Sequence, residues 1–144
     1  MGAARRLFKM ETDKALERYF KNDKFAGRAD IELLSISPGS ARAKMTLGPN
    51  HMNGYGTVQG GAIFTLADLA FAAASNSYGT VAVAVNVSIS FLKAARTGTL
   101  WAEARENSKN FKLGSYTVEV KDDAGDLVAV FQGMAYRKSE RIPE

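Results

Sequence analysis

Residues 50–76 read NHMNGYGTVQGGAIFTLADLAFAAASN, a Gly-rich lead-in running into an apolar stretch that carries a single acid. Between Lys44 and Lys93 the only formally charged side chain is Asp68, and around it stand Ala62, Ile63, Phe64, Leu66, Ala67, Leu69, Ala70 and Phe71. A helix apolar on every side is normally buried. An unpaired carboxylate in such surroundings costs several kcal/mol or takes up a proton, so the placement of Asp68 asks for a use.

Working outward, the segment from Gly60 to Ser75 is long enough to be a helix of about 24 Å at 1.5 Å per residue. On its N-terminal side, residues 29–37 and 41–47 read as strands joined by Pro38-Gly39-Ser40. On its C-terminal side, VAVAVNVSISF (81–91) alternates with period two: Val81, Val83, Val85, Val87, Ile89 and Phe91 against Ala82, Ala84, Asn86, Ser88 and Ser90. Both faces are nearly uncharged, which predicts a central strand closely approached by a helix or another chain. Strands are expected at 98–107, 111–121 and 126–137, the last two joined through Asp122-Asp123-Ala124-Gly125. Leu16, Tyr19 and Phe20 fall at helical spacing in Glu11–Lys21, an amphipathic helix. This order predicts an α+β chain in which a curved antiparallel sheet wraps one long central helix, the hot-dog fold. Residues 1–28 are expected as a helical segment packed on the body and residues 29–144 as a single hot-dog domain.

The 144 residues suffice for one domain with its own core. With no cysteine there is no disulfide framework, thiolate metal site or cysteine nucleophile. The net charge of +4 mildly favours anionic partners. No stretch reaches the roughly 18 apolar residues of a membrane crossing, so a soluble protein is expected. MGAARRLFKM is basic but lacks the apolar core of a secretory signal; the expected location is cytoplasmic, with a mitochondrial presequence as the weaker alternative.

The lead-in and helix resemble the hot-dog thioesterases of the phenylacetate-degradation type, whose pattern is H-x-N-x-x-G-x-x-H-G-G-x-x-x-x-x-x-D. This chain has His51, Asn53, Gly56, Gln59, Gly60, Gly61 and Asp68 at those positions. Residues 91–104, FLKAARTGTLWAEA, are similar to that family as well. Gln59 stands where the family has His, and Ala94 or Ala95 where a Pro is common. The resemblance implies an acyl-CoA thioesterase, with coenzyme A as part of the substrate and no cofactor.

Thioester hydrolysis needs an attacking oxygen and a donor for the developing oxyanion. Gly60 and Gly61 open the helix, so their N–H groups lack intrahelical acceptors and lie at the positive end of its dipole, a ready oxyanion site. Asp68 is the catalytic carboxylate, either general base toward water or nucleophile through a mixed anhydride. Asn53 is expected to orient the water or bond the carboxylate of another chain, against an Asx turn as the structural alternative. Gln59 is expected to donate to the carbonyl region. His51, as the only histidine, suits a loop hydrogen bond or a substrate contact and cannot make a recognisable metal site. Asn86 on its strand is a further candidate substrate contact, and Lys93 and Arg96 are candidates for the phosphates. Phe64, Phe71, Tyr55 and Met52 could line an acyl pocket, although such residues are more often core.

Gly60 and Asp68 are eight residues apart, about 12 Å along a helix, whereas oxyanion donor and attacking group must both lie within roughly 3 Å of the reacting atoms. One helix cannot supply both to one site. This predicts an obligatory homodimer with two shared sites, its sheet extended through strand 81–91; the resemblance adds a dimer of dimers, a homotetramer. Other readings are a non-catalytic acyl-CoA-binding sensor, a dehydratase or hydratase and, last, a nucleic-acid binder, for which only the pI argues.

Overall fold

The computed structural model describes residues 2–143, the side chains of residues 8–12 excepted. Two helices, α1 (Gly2–Lys21) and α2 (Lys24–Arg28), precede strands β1 (Ile31–Ser37) and β2 (Ser40–Thr46). A short 3-10 turn, Pro49–His51, leads to α3 (Gly60–Ser75), and four strands follow: β3 (Thr80–Phe91), β4 (Thr99–Lys109), β5 (Leu113–Lys121) and β6 (Leu127–Arg141). The strands form one six-stranded sheet in the order β1-β2-β4-β5-β6-β3, antiparallel throughout. One long helix packed on such a sheet is the hot-dog arrangement, as its sequence predicts.

The helix ends where its local chemistry says it should. Gln59 is the N-cap, extended at φ −63° and ψ 132°, and Asn76 is the C-cap. Asn76 is buried and does more than stop the helix: its amide donates to Ala72 O (2.9 Å) and Ala82 O (3.1 Å), while its Oδ1 accepts from Ala82 N (2.9 Å). The start of β3 is thereby stitched to the end of α3.

Packing sets the roll of α3 on the sheet. Ile63, Leu66, Ala67, Ala70, Phe71, Ala73 and Ala74 are buried. Phe71 stands edge-on to Tyr116 and tilted against Phe131, with centroids 5.6 and 5.5 Å away. Its ring fills the space over Gly133, where an added β-carbon would come within 2.7–2.9 Å of it. Any side chain at 133 would therefore push α3 off the sheet.

Three expectations are corrected. Helix α1 begins at Gly2 rather than Glu11; of the predicted apolar face, Leu16 and Phe20 are buried while Tyr19 is 37% exposed. Strand β3 is an edge of the chain's own sheet, hydrogen-bonded only to β6; it read as central because its faces carry no charge. Its alternation is also interrupted, since Ala84 pairs with Ala135 but Asn86 with Met134. The extra residue, Val85, is a β-bulge that puts Val83 on the same side as Asn86. Finally, α3 is not enclosed all round: Gly61 and Phe64 are exposed, and Asp68 and Ala72 partly so, one stripe along the helix.

Replacing Asn76 with Ala leaves the Ala82 N–H and the carbonyls of Ala72 and Ala82 short of partners. It is expected to cost about 2–4 kcal/mol of stability, measured as a lower urea midpoint with unchanged slope.

Candidate active site

The lead-in to α3 is held from both flanks. Gln59 N–H donates to His51 O (2.8 Å) and Val58 N–H to Ala95 O (2.9 Å), and Met52 and Val58 form an isolated antiparallel bridge. His51, only 4% exposed, accepts from Gly48 N–H at Nδ1 (2.9 Å) and donates from Nε2 to Ala29 O (2.7 Å). Both ring nitrogens are spent on backbone, and the ring ties the loop to the chain entering β1. Of the two roles expected for His51, these bonds are the loop hydrogen bond.

Asn53 closes its own loop. Its Oδ1 accepts from Tyr55 N–H (2.9 Å) and Thr57 N–H (3.1 Å), and its Nδ2 donates to Thr57 Oγ1 (2.9 Å). This is the Asx-type turn, which delivers Val58 and Gln59 to the helix start; one Nδ2–H is left over.

At the helix N-terminus the two glycines differ. The Gly61 N–H is capped by Gln59 Oε1, whereas no acceptor among the described residues takes the Gly60 N–H. The Phe91 ring, from the end of β3, lies over the Gly60 α-carbon, 3.2 Å from where a β-carbon would sit. A side chain there would displace the ring by a few tenths of an ångström, which Phe91, 53% exposed, has room to do. The Phe91 contact was not legible in the sequence, since the two residues come from different elements.

Asp68 lies two turns further along, half-buried on the open stripe. Among the described residues it has no ion pair or hydrogen bond; the salt bridges bind other acids. Burial pushes its carboxyl above the usual range, and the nearby Asp23 carboxylate pushes it further. Asp23, the N-cap of α2, was missed by sequence reasoning because it lies 45 positions before Asp68 in a segment that reads as surface.

The remaining candidates separate. Lys93 is bound by Asp122 and Asp126, both at 2.6 Å, so the expected phosphate contact is answered by two carboxylates of the β5–β6 hairpin. Arg96 is brought to the lead-in, its guanidinium 5.7 Å from the Tyr55 ring centroid. Asn86 is exposed and pairs with Met134, out of step with Gly133, the position facing Phe71. It therefore points away from α3. Of the possible pocket residues, Phe71 is core, Tyr55 is 82% exposed, Met52 is half-buried, and Phe64, 36% exposed, lies on the open stripe. Among the described residues no cluster of His, Asp and Glu could hold a metal ion, and no helix is long and apolar enough to cross a membrane.

A half-buried unpaired acid and a glycine-opened helix start, carried on a hot-dog fold, define the class. The chain belongs to the thioesterase superfamily, whose family model matches residues 55–129, and it is a thioester hydrolase. A protein of Archaeoglobus fulgidus named as an esterase is 41% identical over 132 residues, covering 91% of this chain and 86% of that one. The acyl-coenzyme A thioesterase PaaI of Escherichia coli is 36% identical over 119 residues, covering 82% and 85%. The structure of the E. coli PaaI protein, from the phenylacetic acid degradation operon, matches with a TM-score of 0.88 at 32% identity over 94% of this chain and 99% of that one. A Streptococcus mutans structure bound to acetyl CoA matches with a TM-score of 0.73 at 27% identity, over 77% and 90%.

The environment of Asp68 has a measurable thermodynamic consequence. Its folded pKa is raised above the unfolded value of about 3.9, so the proton is favoured in the folded state. Wild-type stability is highest, from this group, below the unfolded pKa, and it falls as pH rises through the folded pKa. Asp68→Asn is therefore expected to be more stable than wild type at pH 7.5, with the difference closing toward pH 3.5; thermal unfolding at the two pH values measures it.

Proposed function

We propose that this chain is an acyl-CoA thioesterase, releasing free acid and coenzyme A from an acyl- or aryl-acetyl-CoA. The observation that carries the proposal is a half-buried Asp68, unpaired among the described residues, two turns beyond a helix N-terminus whose Gly60 N–H finds no acceptor among them. In this reading the thioester carbonyl oxygen takes the Gly60 N–H and displaces Gln59 Oε1 from Gly61, so that two main-chain donors meet the developing oxyanion. The freed Gln59 amide can then donate to the carbonyl region. Asp68 acts either as general base, taking a proton from water as its oxygen attacks, or as nucleophile through a mixed anhydride that water then cleaves. In both routes the C–S bond breaks, the thiolate leaves as coenzyme A, and one water is consumed. No cofactor takes part.

The two halves of the machinery lie about 12 Å apart on one helix, which supports sites shared between the subunits of a homodimer. The free edge of β3, uncharged along all of its 12 residues, and the open stripe of α3 beside it are the surfaces a second copy would cover. The left-over Nδ2–H of Asn53 is then available to the partner's carboxylate. A dimer of dimers and a cytoplasmic location complete the proposal, with no nucleic-acid partner; Arg96 remains the cation suited to the phosphates. The second reading, a non-catalytic acyl-CoA sensor, is favoured by one observation: Gln59 caps the Gly61 N–H in the free chain.

Release of thiol from a panel of acyl-CoAs decides between the two. Asp68→Asn is expected to lower kcat at least about a hundredfold while acyl-CoA binding persists. Wild-type binding without turnover on any member would establish the sensor instead. The kcat/KM of the wild type is expected to rise with pH as Asp68 loses its proton, through an apparent pKa above 3.8.

Subunit sharing has a separate test. Gly60→Pro deletes the N–H at the first helical position, where proline fits after the extended Gln59, and is expected to cost about a hundredfold or more in kcat. Mixing Gly60→Pro chains with Asp68→Asn chains is expected to restore activity, because one site of each mixed dimer is intact. Absence of complementation in proven mixed dimers would mean that each site is made within one chain.

A further inference from the structure

The start of α3 has two unlike walls. The Phe91 ring stands over the Gly60 α-carbon, its Cζ 3.2 Å from where a β-carbon would sit, and the Gln59 carboxamide folds back over Gly61 and caps its N–H. Successive residues are turned by about 100° round a helix, so ring and carboxamide flank the helix start on different sides. In a helix the Cα–Cβ bonds tilt toward the N-terminus, and the first N–H groups point out of that end. The ring therefore stands beside the Gly60 N–H, which no acceptor among the described residues takes.

Distances bring ring and substrate into contact. A β-carbon lies about 2.5 Å from its own nitrogen, which puts the ring edge at most roughly 5.7 Å from the Gly60 nitrogen. A carbonyl oxygen accepting there stands about 2.9 Å from the nitrogen, and the two atoms bonded to its carbon then lie roughly 4–5 Å away. Those two substituents differ: one is the hydrocarbon of the acyl group, the other the sulfur of an arm rich in amides. The apolar wall suits the first and the carboxamide the second. Apolar surface also continues beyond Phe91, where Ile89 pairs with Phe131 and Phe64, 36% exposed, stands edge-on to Phe131 at 5.4 Å.

The ring's freedom is limited. Phe91 pairs with Ala129, and the next N–H, of Leu92, donates to Val128 O at 2.8 Å. The ring yields to a β-carbon by a few tenths of an ångström; a methyl branch asks for about 1.5 Å, which would take the ring off α3 into water.

We infer that Phe91 is a specificity-determining residue, whose ring walls the acyl side of the helix start and selects acyl groups with no branch on the carbon next to the thioester. A straight alkyl or aryl-acetyl group passes along the ring, and a 2-methyl group runs into it. The inference rests on the acyl-CoA thioesterase reading and refines it to a substrate class.

The test takes the acyl-CoA, butanoyl or longer or aryl-acetyl, that wild type cleaves fastest, its 2-methyl derivative, and a derivative with the methyl group at the far end of the acyl group. A 2-methyl group slows attack on a thioester by itself, so the measure is how its penalty in kcat/KM changes on mutation. Phe91→Ala is expected to shrink the 2-methyl penalty about tenfold and Phe91→Leu severalfold, at a position 53% exposed, where neither change threatens the fold. The far-end penalty is expected to stay as in wild type. Leu92→Ala, at the next position and 57% exposed, is expected to leave both penalties unchanged. An unchanged 2-methyl penalty in Phe91→Ala, or both penalties shrinking alike, would overturn the assignment while leaving the thioesterase reading intact. So would an equal loss on all three substrates, which places the ring on the sulfur side. If wild type cleaves no acyl-CoA, that reading fails, and calorimetry with octanoyl-CoA and its 2-methyl derivative judges the ring by itself. Weaker binding of the methylated ligand that Phe91→Ala levels supports it, and absent or equal binding overturns it.

Discussion

The structure depends on the seating of α3, fixed where the Phe71 ring enters the space that Gly133 leaves open. A helix on a sheet can roll about its axis unless a large side chain is locked into a gap, and here it is locked among Tyr116, Phe131 and Gly133. With that roll fixed, the Ala- and Leu-rich side meets the sheet. The line through Gly61, Phe64, Asp68 and Ala72 is left facing outward. Asp68 thus sits at a border, desolvated by its neighbours yet reachable. Deep in the core it would be neutral and inaccessible; on a solvated face its pKa would be ordinary.

The same geometry leaves two features that make sense only together. The α3 stripe, apolar apart from Asp68, and the uncharged β3 edge are open in the single chain, and the Gly60 end of the helix lies two turns from that acid. A long uncharged edge strand is a liability for a lone chain. The homodimer proposed above would cover that edge and bring one helix start toward the other chain's acid. At the opposite edge, β1 is guarded differently, by α1 and α2.

Much of this was legible in the residues. The limits of α3 follow from Gln59, the glycine pair and Asn76, and the six strands follow from period-two patterns between turn residues. What escaped the sequence was long-range. Nothing local to Lys93 announces Asp122 and Asp126, and nothing local to His51 announces the carbonyl of Ala29, yet these contacts hold both side chains in the single chain. The edge position of β3 escaped for another reason: a strand covered by its own sheet and one covered by another molecule both lack charge. The bulge at Val85 left no mark, because a valine-alanine alternation reads the same whether or not one residue is extra. The field of Asp23 on Asp68 required the fold itself to bring α2 beside α3.

The account rests on an acid held above its usual pKa by burial and left without a partner among the described residues. Nuclear magnetic resonance of protein labelled with ¹³C at the aspartate carboxyl carbons, with Asp68→Asn used to assign the signal, measures this directly as pH is varied. The Asp68 signal is predicted to titrate above the ordinary value of 3.8. Titration at or below that value would mean that the carboxylate is solvated or paired, and would contradict the account.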